Sequence, residues 1–338
     1  MRIKAQKQQL NSIKNASSKQ FVHQITNGNI SYLSKAITLV ESNNEKHYKK
    51  ASEILEGCLP HANKSIRIGI TGVPGVGKST FIEAFGKYLT HHNKKVAVLA
   101  IDPTSSLNKG SILGDKTRME SLVNDKNAFI RPSPSGDSLG GVTRKTRESI
   151  TLCEAAGFDY IIVETVGVGQ SEVAVHGMVD FFLLLKLANA GDELQGIKRG
   201  IIEMADLIVI NKADGEFEKQ ANISKTEFNR ALHLFPAKES EWIPEVTTCS
   251  ALKATGIKNI IRVLNAYLKL TKKNGYFHQQ RKEQNKQWFY EAINNELKNK
   301  FYQNNKVKES ISIYLKKIES EEINPFKAAY EVIKAQNS

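Results

Sequence analysis

The densest chemistry in the sequence is the run Gly72-Val73-Pro74-Gly75-Val76-Gly77-Lys78-Ser79, a complete G-x-x-x-x-G-K-S followed by Thr80. Glycines in such a run let the backbone wrap a phosphate without Cβ clashes. Successive N–H groups and the N-terminus of the next helix attract the anion, Lys78 adds a point charge at the outer phosphates, and the Ser79 hydroxyl suits Mg²⁺. The flanks are those a phosphate loop requires, with an apolar run from Ile66 to Ile70 before it and a helical stripe of Phe81, Phe85 and Leu89 after it. A second motif, Asn211-Lys212-Ala213-Asp214, closes the apolar run Leu207 to Ile210. In the N-K-x-D pattern the aspartate accepts hydrogen bonds from guanine N1 and the exocyclic amine, donors that adenine does not present. Left unmet, that carboxylate would discriminate against ATP. Ser250-Ala251-Leu252-Lys253, after the run Val246 to Cys249, is the customary partner of that motif, and together they favour guanine over adenine.

The hydrolytic groups are less sharply marked. Glu164-Thr165-Val166-Gly167 follows the run Tyr160 to Val163, where small GTPases carry D-x-x-G. A carboxylate there can hold Mg²⁺ through water, and the Gly167 N–H can meet a γ-phosphate. Asp102, ending the run Val96 to Ile101, and Asp115, within Gly114-Asp115-Lys116-Thr117-Arg118, are further carboxylates at the same sheet edge. Either can ligate Mg²⁺ directly or through water; a strand-end turn for Asp102 and a helix cap for Asp115 are the competing roles. The glycine-punctuated segment Ala190 to Gly200, with Asp192, Glu193, Lys198 and Arg199 inside it, reads either as a γ-phosphate-sensing switch or as a passive surface loop. No side chain is an evident in-cis arginine finger, so slow intrinsic hydrolysis is expected. His91-His92 falls at the expected C-terminal end of the helix after the phosphate loop, where cations suit the dipole, and His176, His233 and His278 have no ligand spacing.

These residues must be held by strands and helices in alternation. The short apolar runs Ile66 to Ile70, Val96 to Ile101, Ala128 to Arg131, Tyr160 to Val163, Phe181 to Leu187, Leu207 to Ile210 and Val246 to Cys249 are separated by helix-length connections. Strands apolar on both faces and so connected predict a mostly parallel sheet flanked by helices, an α/β P-loop NTPase fold, with the ligand crevice at the carboxyl ends of the strands. The expected divisions are 1–64, a basic tail and N-terminal helices spanning about Ile30 to Glu56; 65–271, the nucleotide domain; and 272–338, helices only. In the last region Phe289, Ile293, Leu297 and Phe301 form one stripe, Ile311, Tyr314, Leu315 and Ile318 a second, and Asn324-Pro325 opens a third.

Composition narrows the rest. The 338 residues carry a formal charge of +13 and a pI near 9.4, with much of the excess in the terminal regions. No aromatic RNP-like motif or zinc finger accompanies it, so nucleic acid is not an expected partner. No apolar stretch is long enough to span a bilayer, and no membrane partner is expected. Cys58, Cys153 and Cys249 are widely spaced, which argues against a disulfide framework or zinc site and for a reducing compartment. The first twenty residues lack Asp and Glu and read as a solvated tail of a cytoplasmic protein, or as a mitochondrial presequence leading to the matrix.

The phosphate loop, Asp102-Pro103, Gly110 to Met119, Glu164-Thr165-Val166-Gly167-Val168-Gly169-Gln170-Ser171-Glu172, Gly191-Asp192-Glu193-Leu194-Gln195-Gly196-Ile197-Lys198 and Asn211 to Asp214 together resemble the MeaB/ArgK family, GTPases associated with methylmalonyl-CoA mutase. The resemblance runs from about Ile25 to Ala335. It implies a homodimeric G-protein chaperone that uses GTP binding and hydrolysis to GDP to gate cofactor loading of an adenosylcobalamin-dependent acyl-CoA mutase, and to protect or reactivate it. Carried over by residue, Gly72 to Thr80 hold the phosphates, Ser79 holds Mg²⁺ with Asp102, Asp115 and Glu164, and Asn211, Lys212 and Asp214 with Ser250, Ala251 and Leu252 read guanine. Lys78 and Glu164 would serve catalysis, together with Lys198 in a family-specific switch, and the C-terminal helices would be a dimerisation arm. Asn189 stands where many relatives have proline. Two other readings compete: a transport-linked P-loop kinase or ATPase, which Asp214 opposes, and a nickel or cobalt metallochaperone GTPase, which would need a His-rich tract or C-x-C site that the sequence lacks.

Overall fold

In the computed structural model of the protein the described residues are 13, 15–42, 44–101, 119–132, 139–165, 170–188 and 199–335. In chain order the elements are α1 (Ser18–Thr26), α2 (Ile30–Glu41), α3 (Glu45–Cys58), β1 (Ile66–Gly72), α4 (Lys78–His91), β2 (Val96–Ile101), α5 (Glu120–Val123), β3 (Ala128–Arg131), α6 (Leu139–Ala155) and β4 (Tyr160–Thr165). They continue with α7 (Gln170–His176), β5 (Phe181–Leu187), α8 (Arg199–Met204), β6 (Leu207–Asn211), α9 (Glu218–Leu232), β7 (Glu245–Thr248), α10 (Ile257–Lys273), α11 (Tyr276–Gln303), α12 (Asn305–Glu319) and α13 (Pro325–Ala335). The chain forms two compact units, Met1–Gln284 and Asn285–Ser338.

The first unit is built on a seven-stranded sheet in the order β3-β2-β4-β1-β5-β6-β7. Every pairing is parallel, so the expectation of a mostly parallel sheet is met and exceeded. Alternate strand residues feed opposite cores, as the period of two requires. Ile68, Ile70, Val98 and Ile162 pack with Phe81, Ile82 and Phe85 of α4 and with Ile260, Leu264 and Tyr267 of α10. Leu99, Ile101, Ile161, Val163 and Phe182 meet the N-terminal helices and α6 on the other face. Ile208, Ile210 and Val246 form a third cluster with Ala221 and Phe228 of α9. Burial on both faces makes these strands read as unbroken apolar runs.

The N-terminal region departs from the sequence reading, which ended a solvated tail near residue 20 and began the helices at Ile30. Helix α1 starts at Ser18, capped by the Ser17 side chain accepting from Gln20 N, and it buries Phe21 and Ile25. Two apolar residues four apart make too short a stripe to stand out in a polar segment, yet they complete the core beside α2 and α3. Asn29 and Asn44 cap those helices in the same way. Several strands also extend past their apolar runs: β1 to Gly72, β4 to Thr165 and β6 to Asn211. The polar motif residues are therefore the last residues of strands, still held by the sheet.

At the opposite, amino-terminal edge of the sheet lies a buried ionic cluster. Arg281, in the first turns of α11, donates from Nε and Nη2 to both oxygens of Asp180, each at 2.7 Å, from Nη2 to the carbonyl of Ser65 and from Nη1 to the carbonyl of Asn63. Asp180 also accepts from the Arg67 N–H at 2.7 Å, and the Arg67 side chain makes paired bonds to Glu154. These groups fix the entries to β1 and β5. In the second unit, Val307 of α12 and Ala328 and Val332 of α13 are buried, and Asn324 accepts from Lys327 N to cap α13. Phe289, Leu297, Phe326 and Tyr330 are exposed there.

Removing one side of a buried ion pair strands the other charge and typically costs about 3–5 kcal/mol. Urea unfolding of Arg281→Ala is expected to show a loss of that order, and a loss below about 1 kcal/mol would show that the cluster does not hold the sheet edge.

Candidate functional site

Strand β1 delivers the chain into the phosphate loop at Gly72, where a Cβ would lie 2.6 Å from the Leu185 carbonyl of β5, so only glycine lets the loop leave the sheet between its neighbours. At the far end Gly77 has φ +92°, and a Cβ there would sit 2.9 Å from Asn211 Nδ2. Gly77 is also the N-cap of α4 and contributes no side-chain hydrogen bond to it. No Gly77 side chain therefore caps the first-turn amides of α4, and the positive end of the helix dipole lies at the loop, where it favours an anion. Lys78 Nζ donates to Gly72 O at 2.7 Å and Val73 O at 3.2 Å, folding over the cradle that a phosphate would fill. Burial pulls its pKa below the ordinary lysine value, opposed by the charges of Glu164 and Glu172.

Asn211 joins this loop to the N-K-A-D corner and the Ser250 loop. Its Nδ2 donates to Val76 O at 2.9 Å, while its Oδ1 accepts from Ala251 N at 3.1 Å and from the Cys249 thiol at 3.3 Å. Cys249 is pushed up to about 12 by burial and by the charge of Asp214, so it remains a thiol and a donor. Ser250 Oγ donates to Asp214 Oδ2 and accepts from Lys253 N, ordering the aspartate from the side. Lys212 takes a left-handed φ of +60°, and the Ala213 N–H is held by Cys249 O at 2.9 Å. Leu252 is 82% exposed beside the buried Ala251, an apolar face available to a planar ring. The sequence motifs from Gly72 to Thr80, at Asn211 to Asp214 and at Ser250 to Leu252 therefore meet at one edge of the sheet.

Glu164 is the penultimate residue of β4, in register with Ile70 of β1 and Ala100 of β2. It shares its strand face with Ile162, which packs against α4, and so points to the α4 side, where Lys78 and Ser79 lie. Ser79 and Glu164 supply a hydroxyl and a carboxylate, hard oxygen donors of the kind Mg²⁺ takes along with water and substrate phosphates. The described residues contain no group of three or more His, Cys, Asp and Glu that could hold a metal by itself. Asp102, Asp115, Gly167, Asn189 and Lys198 lie outside the described residues.

Two buried charged residues carry no role in the sequence reading. Glu172, in the first turn of α7, is almost fully buried and accepts from Ser171 Oγ at 3.2 Å. Lys186, inside β5, is fully buried with its ammonium 5.7 Å from the centroid of the Phe228 ring. Lys186 was legible as a cation interrupting an apolar run, whereas Glu172 had no local signal beyond its place in the Q-S-E string. His91 and His92 close α4 as expected, with His92 Nδ1 2.7 Å from Tyr88 O.

Residues 33–306 match the family described as methylmalonyl Co-A mutase-associated GTPase MeaB. A probable GTPase of Mycobacterium tuberculosis is 44% identical over 93% of this chain and 93% of its own length. GTPase ArgK of Escherichia coli is 44% identical over 86% of this chain and 88% of its own. The mitochondrial methylmalonic aciduria type A homolog of the mouse is 42% identical over 93% of this chain and 78% of its own. A solved structure described as a LAO/AO transport system kinase superposes with a TM-score of 0.74 at 35% identity, covering 96% of this chain and 99% of that one.

The geometry of Asn211 makes a direct prediction. Asn211→Ala removes the hydrogen bonds that tie the phosphate loop to the base loop, and guanine-nucleotide binding is expected to weaken by about 10- to 100-fold, roughly 1.4–2.8 kcal/mol. Calorimetric titration of the folded variant with GDP reads this, and undiminished affinity would contradict it.

Proposed function

Because the chain belongs to the family of methylmalonyl-CoA mutase-associated GTPases, we propose that it is a G-protein chaperone of an adenosylcobalamin-dependent acyl-CoA mutase of the methylmalonyl-CoA mutase type. As a family member the chain is a GTPase that binds GTP and GDP. In the proposed role its nucleotide state gates cofactor loading and protects or reactivates the mutase. The observation that carries the nucleotide half of this reading is the single asparagine, Asn211, holding the phosphate loop and the Asp214 corner in fixed relation. The partner half rests on the family.

In this reading the amides of Gly72 to Thr80 bind the phosphates, and Lys78 exchanges the carbonyls of Gly72 and Val73 for the outer phosphate oxygens. Asp214 accepts from the guanine edge, Ser250 holds that carboxylate, Lys212 and Leu252 cover the base, and Ala251 N keeps Asn211 in place. Mg²⁺ would be held by Ser79 and, directly or through water, by Glu164, Asp102 and Asp115; when bound it supplies positive charge at the phosphate oxygens. Lys198 belongs to the switch that reports nucleotide state and assists hydrolysis. Water attacks the γ-phosphate in line, with charge stabilised by the loop amides and Lys78.

We further assign the region 272–338 as the arm of a homodimer, since Phe289, Leu297, Phe326 and Tyr330 present apolar area to solvent in the second unit. No helix among the described residues is long and apolar enough to cross a membrane. A cytoplasmic location, or a mitochondrial matrix one if the basic tail is a presequence, fits the proposed partner. The solved relative's description raises a transport-linked kinase as the second reading, but Asp214 at the end of the N-K-A-D motif favours guanine over ATP.

Co-purification with a cobalamin-dependent mutase, followed by GTPase assay with and without it, tests the proposal. Slow turnover alone and a several-fold change with the mutase are expected, whereas a fast rate that no mutase alters would contradict it. Asp214→Asn is expected to lower GTP affinity at least tenfold and to bind xanthosine triphosphate better than GTP, because the amide now donates where xanthine presents a carbonyl. Retained preference for GTP in nucleotide competition would place base recognition elsewhere.

A further inference from the structure

The side chains of Thr71 and Thr165 form a hydroxyl–hydroxyl hydrogen bond of 2.7 Å. Both are essentially inaccessible, at 1% and 0% exposure. Thr71 immediately precedes Gly72, the start of the phosphate loop, and Thr165 immediately follows Glu164. The ladder between β1 and β4 runs in register as far as Ile70 and Glu164, so this bond joins the next pair, at the point where the two chains part. On β4 the alternation puts Thr165 on the face of Ile161 and Val163, away from α4, and Glu164 on the α4 face.

Burying hydroxyls where valines would pack brings no stability of its own. A pair of polar groups replaced together by apolar groups of the same shape is nearly neutral. The hydrogen bond does supply distance. Oxygen atoms approach to 2.7 Å here, whereas carbons in contact prefer about 3.5–4.0 Å, so a valine pair would hold the two side chains about 1 Å further apart. A displacement of about that size at a reacting centre can cost about a hundredfold.

We infer that Thr71 and Thr165 are positioning residues for the magnesium site: their hydroxyl pair draws the carboxyl ends of β1 and β4 together and so sets the Glu164 carboxylate at its reach from Ser79 and the phosphate loop. This rests on the reading of Glu164 as a magnesium-holding group. Neither threonine touches nucleotide or metal in this role. Both act through the backbone to which Glu164 and Gly72 belong.

The test is the release of a fluorescent GDP analogue from the full-length protein as a function of Mg²⁺, normalised to nucleotide bound so that only folded protein is read. In T71V/T165V the Mg²⁺ concentration that half-maximally slows release is expected to rise about tenfold or more, while release in chelator stays within about threefold of wild type. T165S, which keeps the hydroxyl, is expected to restore the wild-type midpoint. T165A removes the hydroxyl without adding bulk and is read in the same way should the double variant not fold. A wild-type midpoint in T71V/T165V or T165A overturns the inference, as does equal acceleration of release with and without Mg²⁺. Glu164→Ala run alongside separates the two claims. A raised midpoint there with a wild-type midpoint in the valine pair sinks the threonine role alone, and an unmoved midpoint in Glu164→Ala sinks the metal reading and the inference with it.

Discussion

The side-chain amide of Asn211 sets the constraint on which the nucleotide edge depends. A nucleotide has a charged end and a planar end, and a protein that reads both must hold two loops within a set reach of each other. Asn211, the last residue of β6, spends its donor on Val76 within the phosphate loop and its acceptor on Ala251 and Cys249 beside the base loop. Glycine at position 77 is a consequence, since any Cβ there would collide with that amide. The loops are thereby organised before a ligand arrives, which lowers the ordering cost of binding.

The sheet makes such a clamp possible. Because all the strands run the same way, their carboxyl ends gather the phosphate loop, Glu164, Asn211 and the Ser250 loop along one edge, and their amino ends lie at the other. That other edge is fastened by Arg281, Asp180, Arg67 and Glu154 at the entries to β1 and β5. The division of labour is physical: buried ion pairs fix the strand entries, and hydrogen-bonded loops occupy the exits.

The phosphate loop, the N-K-A-D corner and the parallel sheet were legible because each has a local signature: glycines at fixed spacing, a polar tetrad at the end of an apolar run, strands apolar on both faces. The helix at Ser18–Thr26 was not, because Phe21 and Ile25 are too few to make a stripe and gain their meaning only from packing on α2 and α3. The bond between Thr71 and Thr165 and the ion pair of Arg281 with Asp180 were equally hidden, since their members lie 94 and 101 residues apart and meet only through the sheet. Glu172 shows the same limit. A carboxylate in a helix's first turn reads as a favourable charge for the dipole, and its burial near Lys78 is a tertiary fact.

Calorimetric titration of the folded, nucleotide-free protein with GTP, GDP and ATP, each with and without Mg²⁺, probes this clamp most directly. Saturable binding of both guanine nucleotides is expected, strengthened by the metal for GTP, with ATP weaker by about a hundredfold or more. Binding of ATP with the affinity of GTP would contradict the clamp as a reader of guanine, and no binding of either would contradict the site itself.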